Sequence, residues 1–98
     1  MRKNIVIIIP TYHEEENIFL LIEKLRSLKF NKDIIIVDDT PIPLNFKGIK
    51  FDKKKLTYIH RAKKSGRGSA VIHGLEIALK KKYDIFIEMD ADFSHNPN

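Results

Sequence analysis

Asp90 and Asp92 flank a single alanine just after the apolar run Ile85-Phe86-Ile87. In extended backbone, residues i and i+2 point to the same side. Two carboxylates at this spacing can therefore grip one hard cation such as Mg²⁺ or Mn²⁺, which prefers oxygen ligands and keeps substrate phosphates in its shell. A cation held there neutralises charge that develops on a diphosphate leaving group. Asp90 and Asp92 are thus the candidate catalytic and metal-ligating pair, and an acidic turn is the plainer reading of the same residues. A second acidic pair, Asp38-Asp39, ends the run Ile34-Ile35-Ile36-Val37. Either carboxylate can accept from a nucleobase N–H or a ribose hydroxyl, or one can tie down its own turn beside Thr40 and Pro41.

Two further clusters carry chemistry. Arg61, Lys64, Gly66 and Gly68 combine cations with glycines that let a backbone approach a ligand closely. They precede a helical pattern whose amino terminus favours anions. The G-R-G triplet is not G-x-G-x-x-G and follows the third strand instead of the first, which argues against a dinucleotide site. Pro10, Thr11, Tyr12 and Glu14 form the other cluster. Tyr12 can stack on a base and Glu14 can accept from one, while the T-x-x-E spacing of Thr11 and Glu14 also fits a helix capping box. His13, His60, His73 and His95 lack metal-ligand spacing, and no catalytic role is assigned to them.

These clusters need elements to position them. Ile5-Val6-Ile7-Ile8-Ile9, closed by Pro10, is a continuous β-branched run of the kind found in parallel strands buried on both faces. Ile18, Leu21, Ile22, Leu25 and Leu28 recur at helical spacing and predict a helix from about Glu14 to Lys29. Ile34-Ile35-Ile36-Val37 predicts a second buried strand. Pro41, Pro43 and Gly48 predict a loop from Thr40 to Leu56 with at most one short extended piece. Leu56-Thr57-Tyr58-Ile59-His60 predicts a third strand. A helix opening at Ser65-Gly66-Arg67-Gly68-Ser69 should run to about Lys82 or Tyr83, before a fourth buried strand, Ile85-Phe86-Ile87-Glu88-Met89. Strands separated by helices imply right-handed crossovers and a parallel sheet. Ligands of open parallel sheets bind beyond the carboxyl ends of the strands, and every cluster named above falls at such an end.

The bulk properties set outer limits. The 98 residues are enough for one small domain with a thin stability margin. Lys plus Arg exceed Asp plus Glu by 18 to 13, which suits anionic partners without choosing among them. The runs Lys53-Lys54-Lys55 and Lys80-Lys81-Lys82 read as solvated surface. The absence of cysteine excludes a disulfide framework and a cysteine zinc site. With no apolar run near the ~20 residues that span a bilayer, the expectation is a soluble domain in a reducing compartment.

Taken together, the clusters resemble family 2 glycosyltransferases of the GT-A fold, most closely the dolichyl-phosphate mannose synthase branch. Ile8-Ile9-Pro10-Thr11-Tyr12-His13-Glu14-Glu15-Glu16-Asn17-Ile18 is similar to the opening IIPTYNExENI, and Ile36-Val37-Asp38-Asp39 to the motif VVDD. Arg61 to Ala70 is similar to R-x-x-K-x-G-x-G-x-A, and Met89 to Pro97 resembles MDADFSHxP. The resemblance implies a Rossmann-like GT-A nucleotide-binding half, an α/β domain whose parallel sheet of about four strands carries helices on its faces. It implies inverting, metal-assisted transfer of mannose from GDP-mannose to a dolichyl (polyprenyl) phosphate. Pro10, Tyr12, Glu14, Asp38, Asp39, Lys64 and Asp90 would bind the nucleotide sugar, and Asp90 and Asp92 would hold Mg²⁺ or Mn²⁺. Ser94 stands where some members carry a glutamine ligand, and Thr40-Pro41-Ile42-Pro43 replaces the SPDGT segment and its helix.

Residues 1–98 are thus expected to form a single truncated domain without the family's acceptor half. A second chain or a missing segment would complete the enzyme, which would work in the cytoplasm, at the cytoplasmic face of a membrane. No nucleic-acid partner is expected. The alternatives are a nucleotide-sugar-binding module without transfer, or an inactive relic. A signalling receiver domain is disfavoured, because its acidic pair follows the first strand.

Overall fold

The computed structural model describes residues 3–61 and 66–91. Four parallel strands, β1 (Ile5–Thr11), β2 (Lys32–Asp38), β3 (Leu56–His60) and β4 (Ile85–Glu88), form one sheet in the order β3-β2-β1-β4. Helix α1 (Glu15–Ser27) connects β1 to β2, and α2 (Arg67–Ala78) lies between β3 and β4. The chain therefore steps outward from β1 to β3 and then returns across the sheet to β4. A right-handed crossover in each direction places the two helices on opposite faces.

Side-chain alternation accounts for both cores. Ile7, Ile9, Ile34 and Ile36 point to one face and pack against Ile18, Leu21, Ile22 and Leu25 of α1. Val6, Ile8, Ile35 and Val37 point to the other and pack against Ala70 and Ala78 of α2. β1 and β2 are covered on both sides, which is why their sequences are unbroken aliphatic runs.

The segment between β2 and β3 contains neither helix nor strand, so the helix found here in the resembled family is absent. It is nonetheless tied to the α1 face through Phe46, whose ring meets those of Phe19, Phe51 and Tyr58 at centroid distances of 5.3, 5.2 and 5.0 Å. Such tilted and edge-to-face pairs add to the area they bury.

Three expectations need correction. The fourth strand is not buried on both faces: Ile85 and Phe86 are each 40% exposed. Among the described residues β4 is an edge strand, bonded to β1 alone, and neither face is fully covered. The capping box does not form either. Thr11 remains in β1, its backbone oxygen accepting from Asp39 N, and the N-cap of α1 is Glu14, without a side-chain cap. The chain reaches α1 through His13 in the left-handed region (φ 55°), with its N–H on Thr40 Oγ1 at 2.7 Å. Finally, α2 ends at Ala78, short of the expected Lys82 or Tyr83.

Gly74 marks the closest approach of α2 to the sheet. A Cβ there would lie 2.6 Å from Ile8 Cγ2 and 3.4 Å from Val37 Cγ2. Cγ2 branches directly from Cβ and has no room to swing away. Gly74→Ala should therefore destabilise the fold, overpacking at ~1–3 kcal/mol outweighing the ~1 kcal/mol that alanine gains in helix propensity. Urea unfolding checks this, and Gly74→Ala with Ile8→Ala should cost less than the sum of the single changes. Strict additivity would mean that the contact is not the cause.

Candidate functional site

The return of the chain across the sheet creates a switch point between β1 and β4, where open α/β sheets bind ligands. The β1–β4 ladder runs only to Ile8 and Glu88, with one further bond from Met89 N to Ile8 O. Pro10, two residues on, faces the same side of β1. Its missing N–H thus falls beyond the last β4 partner, which is where a sheet tolerates proline. The backbone opens here into a cleft of about 320 Å³. Its lining includes Pro10, Thr11, Tyr12, Glu14, Asp39, Gly66, Arg67, Ala70, Asp90 and Ala91.

Five of the residues expected to bind the nucleotide sugar, Pro10, Tyr12, Glu14, Asp39 and Asp90, therefore share one cleft. Tyr12 presents a half-exposed ring, set edge-on against His13 at 4.3 Å. Glu14 Oε2 accepts from Asn17 Nδ2 at 2.9 Å. Lys64 and Asp92 lie outside the described residues.

Asp38 does not join this group. It is 0% exposed. One oxygen accepts from Thr40 N at 3.0 Å and the other from the Tyr58 hydroxyl at 2.6 Å. The bond to Thr40 is the local turn that the sequence left as an alternative. The same hydroxyl accepts from Leu44 N at 2.9 Å, so Asp38 helps to hold the start of the long loop. His60 Nε2 lies 2.6 Å from Thr40 O, and because a carbonyl only accepts, that nitrogen carries a proton.

Asp39 turns the other way. Arg61 grips it with two parallel bonds, Nε to Oδ1 at 2.6 Å and Nη2 to Oδ2 at 2.7 Å. The hydrogen bond to Asp39 makes the Arg61 proton even harder to remove than usual, against the opposing effect of burial. Arg61 Nη1 reaches Ser69 Oγ and O in the first turn of α2, at 3.0 and 3.3 Å. One guanidinium thereby joins the ends of β2 and β3 to α2 and sets the orientation of Asp39.

Sequence reasoning missed Arg67, which it treated only as a turn residue. Its Nε and Nη2 both donate to Asp90 Oδ1, at 2.8 and 2.5 Å, and Nη2 also pairs with Glu88. Its neighbour Gly66 supplies the positive φ (94°) that swings the chain into α2. The signal that could have revealed the pair was alternation. Glu88 and Asp90 stand i, i+2 on one side of the chain, where Arg67 at the start of α2 reaches both.

The donor chemistry of the cleft fits a hard divalent cation. The oxygen Oδ1 of Asp90 already attracts a cationic group, and its side chain is 15% exposed, open to a ligand but largely shielded from water. Among the described residues no cluster of three ligating side chains exists. Among the described residues no helix is long and apolar enough to cross a membrane.

Comparison with known proteins identifies the family. The chain is 36% identical to an undecaprenyl-phosphate mannosyltransferase of Micrococcus luteus, covering 95% of this chain and 40% of that protein. It is 33% identical to a polyprenol monophosphomannose synthase of Mycolicibacterium smegmatis (94% and 36%). A dolichol-phosphate mannosyltransferase of Pyrococcus furiosus is 35% identical (93% and 26%). The chain thus spans between about a quarter and two fifths of the length of these relatives. Residues 6–98 match the family model described as "Glycosyl transferase family 2", and the chain belongs to that family.

Proposed function

We propose that this chain is the donor-binding half of a mannosyltransferase that moves mannose from GDP-mannose to a polyprenyl phosphate, with inversion at the sugar carbon. The observation that carries the proposal is the convergence of Pro10, Tyr12, Glu14, Asp39 and Asp90 on one cleft at the β1–β4 switch point. Tyr12 offers an aromatic face to the base, and the carboxylates of Glu14 and Asp39 accept its N–H groups or the ribose hydroxyls. Asp90, with Asp92, would hold Mg²⁺ or Mn²⁺, which would supply charge neutralisation for a diphosphate leaving group. The acceptor phosphate oxygen is itself the nucleophile, so no covalent enzyme intermediate is needed. Further sequence or a second chain would position the acceptor, since this chain spans at most 40% of the length of these relatives. A lipid acceptor places the working enzyme at a membrane surface.

Calorimetric titration of GDP-mannose, with and without Mn²⁺, tests the proposal. Binding should be at least about tenfold tighter with the ion, the worth of one good charge-assisted contact. Asp90→Asn and Asp92→Ala should each remove the dependence. No binding under either condition would refute the reading. Metal-dependent binding without transfer to an added polyprenyl phosphate would favour a binding module over a self-sufficient enzyme.

A further inference from the structure

We infer that Arg67 is an exchangeable counter-ion of Asp90, bound to the carboxylate until a divalent cation displaces it and then turned toward the ligand's diphosphate. The inference rests on the proposed cation site at Asp90 and goes beyond it.

Three observations support the exchange. Arg67 aims two nitrogens at a single oxygen of Asp90 and a third contact at Glu88, so the guanidinium occupies the space beside Asp90 that a cation bound there would need. Arg67 is also half-exposed, whereas Asp90 is not. The cationic partner is therefore the one free to leave, because a long side chain in contact with water loses little by exchanging one anion for another. Arg61 offers the contrast: it is 13% exposed, makes a two-pronged bond to Asp39 and is anchored to Ser69, which is the arrangement of a fixed strut. Finally, Arg67 opens α2 and lines the same cleft as Tyr12, Glu14 and Asp39. Once released from Asp90 it stands beside the helix amino terminus, where an anion is already favoured.

The exchange gives the cation and the nucleotide opposite dependences on Arg67. Without nucleotide, Arg67 competes with the cation. With the cation bound, the released Arg67 is the positive group that a diphosphate can recruit. Arg67→Leu should therefore bind Mn²⁺ alone roughly three- to tenfold more tightly, and GDP at saturating Mn²⁺ more weakly by a similar factor, the range expected for a half-exposed charge-assisted pair. Arg67→Lys keeps the charge without the planar fork and should fall between.

Mn²⁺ binding is read by electron paramagnetic resonance of the free ion and GDP binding by calorimetry, with circular dichroism confirming that each variant is folded. Unchanged Mn²⁺ affinity in Arg67→Leu, or a loss of both affinities together, would overturn the inference and reduce Arg67 to a structural contact. Asp90→Asn separates this failure from failure of the proposed site. If Asp90→Asn leaves Mn²⁺ binding intact, the cation is not at Asp90 and both ideas fall. If it abolishes binding while Arg67→Leu changes nothing, only the exchange falls.

Discussion

Arg61→Ala should lower the stability of the chain by about 3–5 kcal/mol, the cost of leaving one partner of a buried ion pair without the other. The group that loses its two-pronged partner is Asp39, whose side chain is 5% exposed and lines the cleft. Small domains have only ~5–15 kcal/mol in total, and a chain of this length buries a modest share of its surface. At ~4–8 °C per kcal/mol for a domain of this size, the melting temperature should fall by at least about 12 °C. GDP-mannose binding should weaken as well, because Asp39 loses the fork that orients it. Thermal melts followed by circular dichroism read the first effect. The decisive comparison is Arg61→Ala with Asp39→Ala: removing the Asp39 charge should restore part of the loss. A double variant that melts no higher than Arg61→Ala would mean that the pairing is not what matters.

Asp38→Ala should be nearly as damaging for a different reason. It removes no exposed charge and no cleft residue, but it strips acceptors from Thr40 N and the Tyr58 hydroxyl. A buried polar group left unpaired costs ~1–3 kcal/mol, so the two together should cost about 3 kcal/mol. Asp38→Asn retains an acceptor for Thr40 and should lose about half as much. Because Tyr58 also holds Leu44, the alanine variant should become susceptible to limited proteolysis between Thr40 and Lys55. Resistance of that segment equal to wild type would refute the role assigned to Asp38.

The same contact sets a pH dependence. Burial first, and then the hydrogen bond to Asp38, raise the Tyr58 phenol above its ordinary value. Burial and the bond to Asp33 raise Tyr83 in the same direction. A raised folded value means that the folded chain holds these protons after the unfolded chain has lost them. Their contribution is therefore complete below about pH 10 and is lost as pH rises through the folded values. Stability should decline above pH ~10, less steeply in Asp38→Ala, where one cause of the Tyr58 shift is gone.

The two aspartates show how far the sequence reaches. Four strands and two helices were legible because their signals are local: aliphatic runs of four or five residues for β1 and β2, and helical spacing from Ile18 to Leu25. Adjacent strand residues point to opposite sides, so Asp38 and Asp39 had to have different roles. Which one faces the ligand depends on the identity of the neighbouring strands, and a single sequence does not contain that information. The edge position of β4 was hidden for the same reason. Ile85-Phe86-Ile87 reads as a buried strand, yet burial is conferred by neighbours, and β4 has one. The capping box at Thr11 failed because the β1 ladder extends to Asp38 and claims the residue before the helix can. Arg67 was overlooked because its partners arrive from a distant strand.

The placement of β1 also dictates an order of assembly. It is the first strand of the sheet to be synthesised, yet it is interior: Ile5 pairs with Lys32 on one side and with Ile85 on the other. The β1–α1–β2 unit closes over a short stretch of chain and can form early, whereas the β4 flank must wait for residues far along the chain. Contacts of such sequence separation form slowly, since the entropy of closing the intervening chain must be lost before they stabilise anything. Three of the four described strands can therefore pair before the cleft exists, because Asp90 arrives only with β4. Until then one side of β1 is an unpaired aliphatic edge of the kind that draws in strands from other chains. The strand that brings Asp90 to the site is also the one that covers this edge of β1.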